Sequence, residues 1–533
     1  MLPVLGKILE KIIYNRLYSF LTTMNVIYDK QFGFRKNHST SHAINYSINK
    51  ILSEVENKNH VVGVFIDLSK AFDTIDHQKL LIKLEHYGIW GRCHKILESY
   101  LSGRTQQTKF QGTISNKSQV DFGVPQGSVL GPLLFLVYIN DIVNSSLYGN
   151  FVLFADDTNI FVVGRSASEA YQRTNIVLEE INKYMLSNQL HINVGKCCYM
   201  HFRPRYDNEE RRTCARVRPF NSELTLKLCG MKLKKVDKVK FLGIIIDDQL
   251  NWEAQVDHLL TKLNSSIIMI KRIKRFIPKS EYLKIYNALF LSHLTYCISC
   301  WGGISRLKLL KLFAIQKRCV RLLFGKQFTF DHAEYYETCA RARTFEEHMA
   351  PKNFCLEHTK PLFTEYGLFS LENLFKFHTF MEVFKILKFH SPISLYDIFK
   401  LGPRGDKLTL LLPRVHLDIS KRNFVFGSSM IWNKLFGKTF SRCTPQPSGL
   451  VIPGSDLNSD LAASLSVVKC RLKSILMASQ KLGTKRSGYN INLISVTVVD
   501  EFSQLKTGSL MIDRDAYSSD AICISSVYIS PSL

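Results

Sequence analysis

Phe154-Ala155-Asp156-Asp157-Thr158 sets two adjacent carboxylates between short apolar runs, Phe151–Phe154 and Ile160–Val163. Apolar runs of that length read as strands, and two of them around an acidic turn read as a β-hairpin. Neighbouring negative charges repel, and burying them uncompensated costs more still. A divalent cation is the natural compensation. Mg²⁺ suits hard carboxylate oxygens on a rigid turn, taking one or two of them and keeping places for water and phosphate oxygens. An ordinary solvated Asp-Asp turn has the same pattern, so the reading depends on what else the chain supplies.

A second segment supplies it. Val61-Val62-Gly63-Val64-Phe65-Ile66-Asp67 is a β-branched and aromatic run that ends in a carboxylate. It reads as a buried central strand with Asp67 at its C-terminal edge. Two-metal phosphoryl chemistry needs carboxylates from separate strands that converge on ions about 4 Å apart. A third segment, Gly123-Val124-Pro125-Gln126-Gly127-Ser128, is a Gly/Pro-punctuated loop that opens a helix, with Pro132 near the first turn. Such a loop lets backbone approach a flat or charged ligand closely.

Those three segments, in this order, resemble the palm of reverse transcriptases, most closely those of non-LTR (LINE-type, jockey-like) retrotransposons. Leu2–Lys11 and Gln31-Phe32-Gly33-Phe34-Arg35 resemble the family's fingers motifs. Leu190–Lys196 is similar to its motif after the catalytic hairpin, and Lys240-Phe241-Leu242-Gly243 to its primer grip. The resemblance implies that Asp67, Asp156 and Asp157 are catalytic and bind Mg²⁺ or Mn²⁺. It implies that Gln126 and Gly127 contact the nucleotide and that Lys7, Arg35 and Lys196 face its triphosphate. Each of those three is also readable as a plain basic surface residue. Phe72 would exclude a 2′-hydroxyl; it also reads as an ordinary core side chain. Phe241, Leu242 and Gly243 would brace the primer backbone, though a buried hairpin has the same sequence pattern.

The expected fold is α+β: a right-hand polymerase with fingers, a palm with an antiparallel sheet, a helical thumb, and a C-terminal region of uncertain fold. The expected boundaries are 1–250 for fingers and palm, 251–330 for the thumb, 331–480 for a region of unknown role and 481–533 for a disordered tail. Inside them, Asp76 caps a helix ended by Gly88, and Leu289–Trp301 forms one apolar core helix. Thr105–Gly112 pairs with Gln119–Phe122 around Ser115-Asn116-Lys117, and Thr225–Leu233 pairs with Val239–Ile246. Arg203–Phe220 reads as an exposed basic loop.

A net charge of +25 with a pI near 9.4 calls for a polyanionic partner. The resemblance names it as an RNA template with a DNA primer and dNTPs. Lys271, Arg272, Lys274 and Arg275 on the thumb are the nucleic-acid contacts to expect. Neither a secretory signal nor a span for a membrane is visible. Thirteen scattered cysteines suit a reducing compartment. Cys297 and Cys300 form a C-x-x-C that His293 could join on one helical face, but no fourth ligand sits nearby, so the segment reads as core rather than zinc site. The expected location is intracellular, with function in the nucleus, and the cytoplasm as the alternative. The chain opens inside the first fingers motif, so the expectation is an N-terminally truncated element that relies on nicks supplied in trans. The alternative function is a catalytically inactive relic that only binds RNA.

Overall fold

Strand β1 (His60–Ile66) is the centre of the molecule, and its sequence shows why. Side chains alternate along a strand. Val61 and Phe65 enter one apolar cluster, and Val62, Val64 and Ile66 enter another on the opposite face. A strand covered on both faces has no polar face, hence the unbroken apolar run. Gly63 leaves room for two rings, since a Cβ there would lie 3.2 Å from both Phe161 and Phe202. The computed structural model describes residues 4–204, 225–325, 359–400, 409–440 and 465–482, all within one unit, Met1–Gly483.

Around β1 the sheet adds β2 (Gly149–Phe154), β3 (Asp157–Gly164), β4 (Cys198–Phe202) and β5 (Lys234–Lys235), in the order β5-β4-β1-β3-β2. All pairings are antiparallel except the edge pair β5·β4. Helices α1 (Val4–Thr23) and α2 (Thr40–Glu56) precede β1; α3 (His77–His86), α4 (Gly91–Leu101) and α5 (Gly131–Ile139) follow it. The Asp76 carboxylate caps α3 by accepting from Lys79 N at 3.0 Å, and Gly88 follows with φ +88°. Helix α5 is apolar on every side and every residue but Pro132 is buried. Helix α6 (Ala167–Ser187) lies on the same side of the sheet, in the cluster that takes Val62 and Val64.

A second hairpin, β6 (Lys238–Phe241) and β7 (Ile244–Asp247), leads into α7 (Glu253–Ile273), and α8 (Arg306–Phe324) packs on it. The apolar cluster on the α2 face of the sheet runs without a break into α7 and α8. Palm and thumb therefore share a core instead of meeting at an interface. Helices α9 (Leu371–Phe389), α10 (Phe424–Phe440) and α11 (Leu465–Leu482) build a further cluster around Phe380 and Trp432. The described part of 331–480 is thus mostly helical. Of the expected tail at 481–533, only Lys481 and Leu482, at the end of α11, are described; the rest of it and most of the basic loop fall outside the described residues. Among the described residues no helix is long and apolar enough to cross a membrane.

Three expectations need correction. Leu289–Trp301 is not one helix: a wide-turn segment (Tyr286–Leu291) and a short α-helix (Ser292–Thr295) end before Cys297, whose φ of +48° breaks the run. Both Cys297 and Cys300 are buried free thiols, as a core reading requires. Thr225–Leu233 and Val239–Ile246 do not pair with each other; each region closes its own hairpin, at Gly230 and at Leu242-Gly243. Thr105–Gln119 forms two short ladders, Thr105–Gln106 with Ser118–Gln119 and Lys109–Phe110 with Thr113–Ile114. The inner one turns at Gln111-Gly112, where both φ angles are positive, and not at Ser115-Asn116-Lys117.

Candidate active site

The acidic turn is the tip of the β2–β3 hairpin. Phe154 pairs with Asp157, which leaves Ala155-Asp156 as a two-residue loop. Right-twisted hairpins favour turns with a positive φ at the first loop position. Ala155 occupies that position at φ +55°, where glycine is the usual residue. Asp67 leaves the C-terminal end of β1 one strand away, beside β3. Its backbone is clamped by the stretch after α6: Asn193 N donates to Asp67 O at 2.9 Å, and Asp67 N donates to Cys197 Sγ at 3.4 Å. Burial pushes the Cys197 thiol up to about 11, so it stays protonated beside the acid.

The three carboxylates sense one another. The pKa of Asp156 is raised by desolvation and then by the negative charge of Asp67. Asp157 keeps an exposed side chain, yet the protein atoms crowded about its carboxyl push it up to about 6, helped by Asp156 and Asp67. Lys196 Nζ lies 3.6 Å from Asp67 Oδ2. Both partners are exposed, so that pair is loose and exchangeable. Among the described residues no three acidic, His or Cys groups stand as a preformed metal cage. The donor set suits an open hard-ion site, in which one or two carboxylates hold Mg²⁺ and water and phosphate oxygens complete the shell.

The residues expected to contact the nucleotide from the Gly123–Ser128 segment, together with Phe72, sit on a strapped pair of loops. Val124 N donates to Phe72 O at 2.9 Å and Gly123 N to Ile75 O at 2.7 Å. Gly123 has φ +79° and faces Asp73 so closely that a Cβ would lie 2.8 Å from its Cα. Gln126 Nε2 donates to Asp73 at 3.0 Å and 3.3 Å to its two oxygens. Gly127, at φ +77°, has open space where a Cβ would point. Phe72 is half-buried, its ring 4.5 Å from that of Phe135 and edge-on to Phe34 at 6.1 Å.

Other expected contacts are placed differently. Arg35 Nη1 donates to Tyr28 O at 2.8 Å and Gln31 O at 3.3 Å, so its guanidinium holds a loop together. Lys7 is exposed on α1, one turn before Glu10. The Phe241 side chain is buried against Phe65 at 5.8 Å, so only Leu242 and Gly243 of that trio can face a primer. Lys274 Nζ donates to Leu322 O inside the thumb, whereas Lys271, Arg272 and Arg275 are exposed.

Several supporting residues had no sequence signal strong enough to single them out. Buried Glu10 accepts from Val129 N at 2.6 Å and from Tyr100 Oη at 3.3 Å, joining α1 to the start of α5. Tyr296 donates to Leu242 O at 2.8 Å and its ring lies over Gly243. Gln31 reaches the acidic turn itself. A carboxylate seven residues into a helix, or a glutamine in a loop, reads as surface until its partner is seen.

An antiparallel sheet carrying acids from two separate strand ends, flanked by fingers helices and continuous with a helical thumb, defines the palm of a right-hand polymerase fold. Residues 1–246 match the family described as Reverse transcriptase (RNA-dependent DNA polymerase). The chain is 27% identical over 356 residues to the "Probable RNA-directed DNA polymerase from transposon X-element" of Drosophila melanogaster, covering 65% of this chain and 37% of that one. It is 26% identical to the RNA-directed DNA polymerase from mobile element jockey of Drosophila funebris, covering 61% and 35%. The chain thus spans just over a third of the length of these curated relatives. Apo telomerase from Candida tropicalis aligns with a TM-score of 0.35 at 11% identity, too low to carry an argument.

Proposed function

We propose that this chain copies RNA into DNA by two-metal nucleotidyl transfer, as the names of its relatives describe for them. The observation that carries the proposal is the placement of Asp67 at the end of β1, beside the hairpin whose turn bears Asp156 and Asp157, near enough that its charge raises the pKa of both. Asp67, Asp156 and Asp157 would hold Mg²⁺ or Mn²⁺. When bound, such ions activate the primer 3′-hydroxyl and neutralise charge on the leaving pyrophosphate. Lys196, freed from Asp67, reaches the incoming triphosphate. The strap between residues 72–75 and 123–126 sets Phe72 beside the sugar and Gln126 beside the base-pairing position. RNA template and DNA primer run over the Leu242-Gly243 turn toward the exposed cations of the thumb.

Primer extension on poly(rA)/oligo(dT) with dTTP and Mg²⁺ tests this, beside an RNA-binding assay. Wild type should extend the primer. Asp156→Ala should lower extension by at least about a thousandfold, as loss of a metal-holding or charge-stabilising group does, while RNA binding and folding persist. RNA binding without extension by the wild type would favour the binding-only alternative.

A further inference from the structure

Gln31 is 1% exposed although it lies in a loop between α1 and α2. Its Oε1 accepts two backbone hydrogen bonds, from Ala155 N at 3.0 Å and from Gly33 N at 2.9 Å. The amide orientation is thereby fixed, because two N–H donors demand an oxygen. Its Nε2 is buried with no partner among the described residues. A buried orphan donor is costly, and it is borne here on the same terminal amide whose oxygen holds the acidic turn.

The backbone around Gln31 grips the same hairpin. Phe32 N donates to Leu153 O at 2.8 Å, and Leu153 N donates to Lys30 O at 3.0 Å. Gly33 lies so close to the turn that a Cβ would fall 2.3 Å from Ala155 N and 2.9 Å from Phe154 C. Ala155 itself holds φ +55°, a conformation that L-residues other than Asn and Asp seldom adopt. A two-residue turn whose first position is alanine in that region needs an external hold, and among the described residues the side chain bonded to its amide is Gln31.

We propose that Gln31 is a positioning residue that fixes the backbone of the acidic turn, and through it the aim of Asp156 and Asp157. It touches neither substrate nor ion; it acts through the Ala155 peptide. The inference rests on the polymerase reading above, in which those two acids hold the metal.

The test uses the full chain. Gln31→Met keeps the length and removes the acceptor; Gln31→Asn keeps the amide and shortens its reach. Gln316→Met is the control, because Gln316 is equally buried but lies in the thumb core, bonded to Tyr286 and Phe369. Each Gln31 variant should lose tenfold or more in kcat below its melting temperature, with KM for dTTP and Kd for primer–template within twofold. The Mg²⁺ concentration for half-maximal rate should rise. Gln316→Met should lower the melting temperature while keeping kcat within twofold.

Two readouts do not need turnover. Amide hydrogen exchange over 149–160 should accelerate in the Gln31 variants and not in Gln316→Met. Mn²⁺ binding, followed by electron paramagnetic resonance, should weaken in the same variants. An inactive wild type would sink the polymerase reading, yet the exchange and Mn²⁺ results would still decide the role of Gln31. A folded Gln31 variant with unchanged kcat, exchange and Mn²⁺ affinity overturns the proposal. So does an equal loss of kcat in Gln316→Met, which would reduce the effect to general destabilisation.

Discussion

At the residue scale the site is a problem of charge. Asp157 binds its proton more tightly folded than unfolded, because its pKa rises from an ordinary 3.8 to about 6. Between those two values the folded state holds more protons than the unfolded one, so the metal-free protein loses stability as pH rises through the window. Asp157→Asn should therefore raise the melting temperature in EDTA at pH 7.5 and change it little at pH 4. Saturating Mn²⁺ should cancel that gain, since the ion removes the repulsion the variant relieves. Equal gains at both pH values would show that packing, not charge, sets the effect. Phe72 poses a question of space. It is braced from below by Phe135 and from the side by Phe34, so truncation opens a gap toward the Gln126 loop. Phe72→Val should raise the rNTP/dNTP ratio of kcat/KM by about tenfold or more, the usual worth of a lost steric check. An unchanged ratio would make Phe72 a core residue only.

At the element scale the joint between palm and thumb depends on one buried acid. Asp247 closes β7, and its oxygens accept from Gln249 N at 3.1 Å, Asn251 N at 3.0 Å and Trp252 N at 3.1 Å. This loop must pass through positive φ at Leu250 and Trp252 before α7 can start. Asp247→Ala would leave three donors unmet and should cost about 3 kcal/mol in denaturant unfolding. A cost below about 1 kcal/mol would mean water replaces the carboxylate. The same joint shows what the sequence could and could not disclose. Strand β1 and the acidic hairpin were legible because period and burial agree there: every residue of Val61–Ile66 is buried and the next residue is charged. The break at Cys297 was not legible, because nothing in Leu289–Trp301 looks like a helix stop; the left-handed turn is imposed from outside. Nor could spacing show that Phe241 turns inward while Leu242 and Gly243 stay half-buried. Gln31 and Glu10 were missed for a related reason: their partners lie 124 and 119 residues away.

For the whole molecule the governing quantity is the charge of +25, and the structure decides which cations are free to use it. Lys271 and Arg272 stand in the last turn of α7, where the helix dipole favours positive charge, and Arg275 follows just beyond. All three are exposed. Lys274, in the same run, bonds Leu322 O and sits 5.6 Å over the Tyr282 ring. A cation that displaces counterions from phosphates steepens the salt dependence of binding by about one unit of slope. The triple variant Lys271→Ala, Arg272→Ala, Arg275→Ala should thus flatten log K against log salt by about 3 for a primer–template duplex. Lys274→Ala should leave the slope alone and lower the melting temperature, because it loosens α7 from α8 without touching phosphate. Fluorescence anisotropy at four or five salt concentrations separates the two. A triple variant with the wild-type slope would make this end of the thumb a solvated face and send the search for the duplex path elsewhere. A Lys274→Ala slope reduced by about 1 would show that its bond to Leu322 opens when nucleic acid arrives.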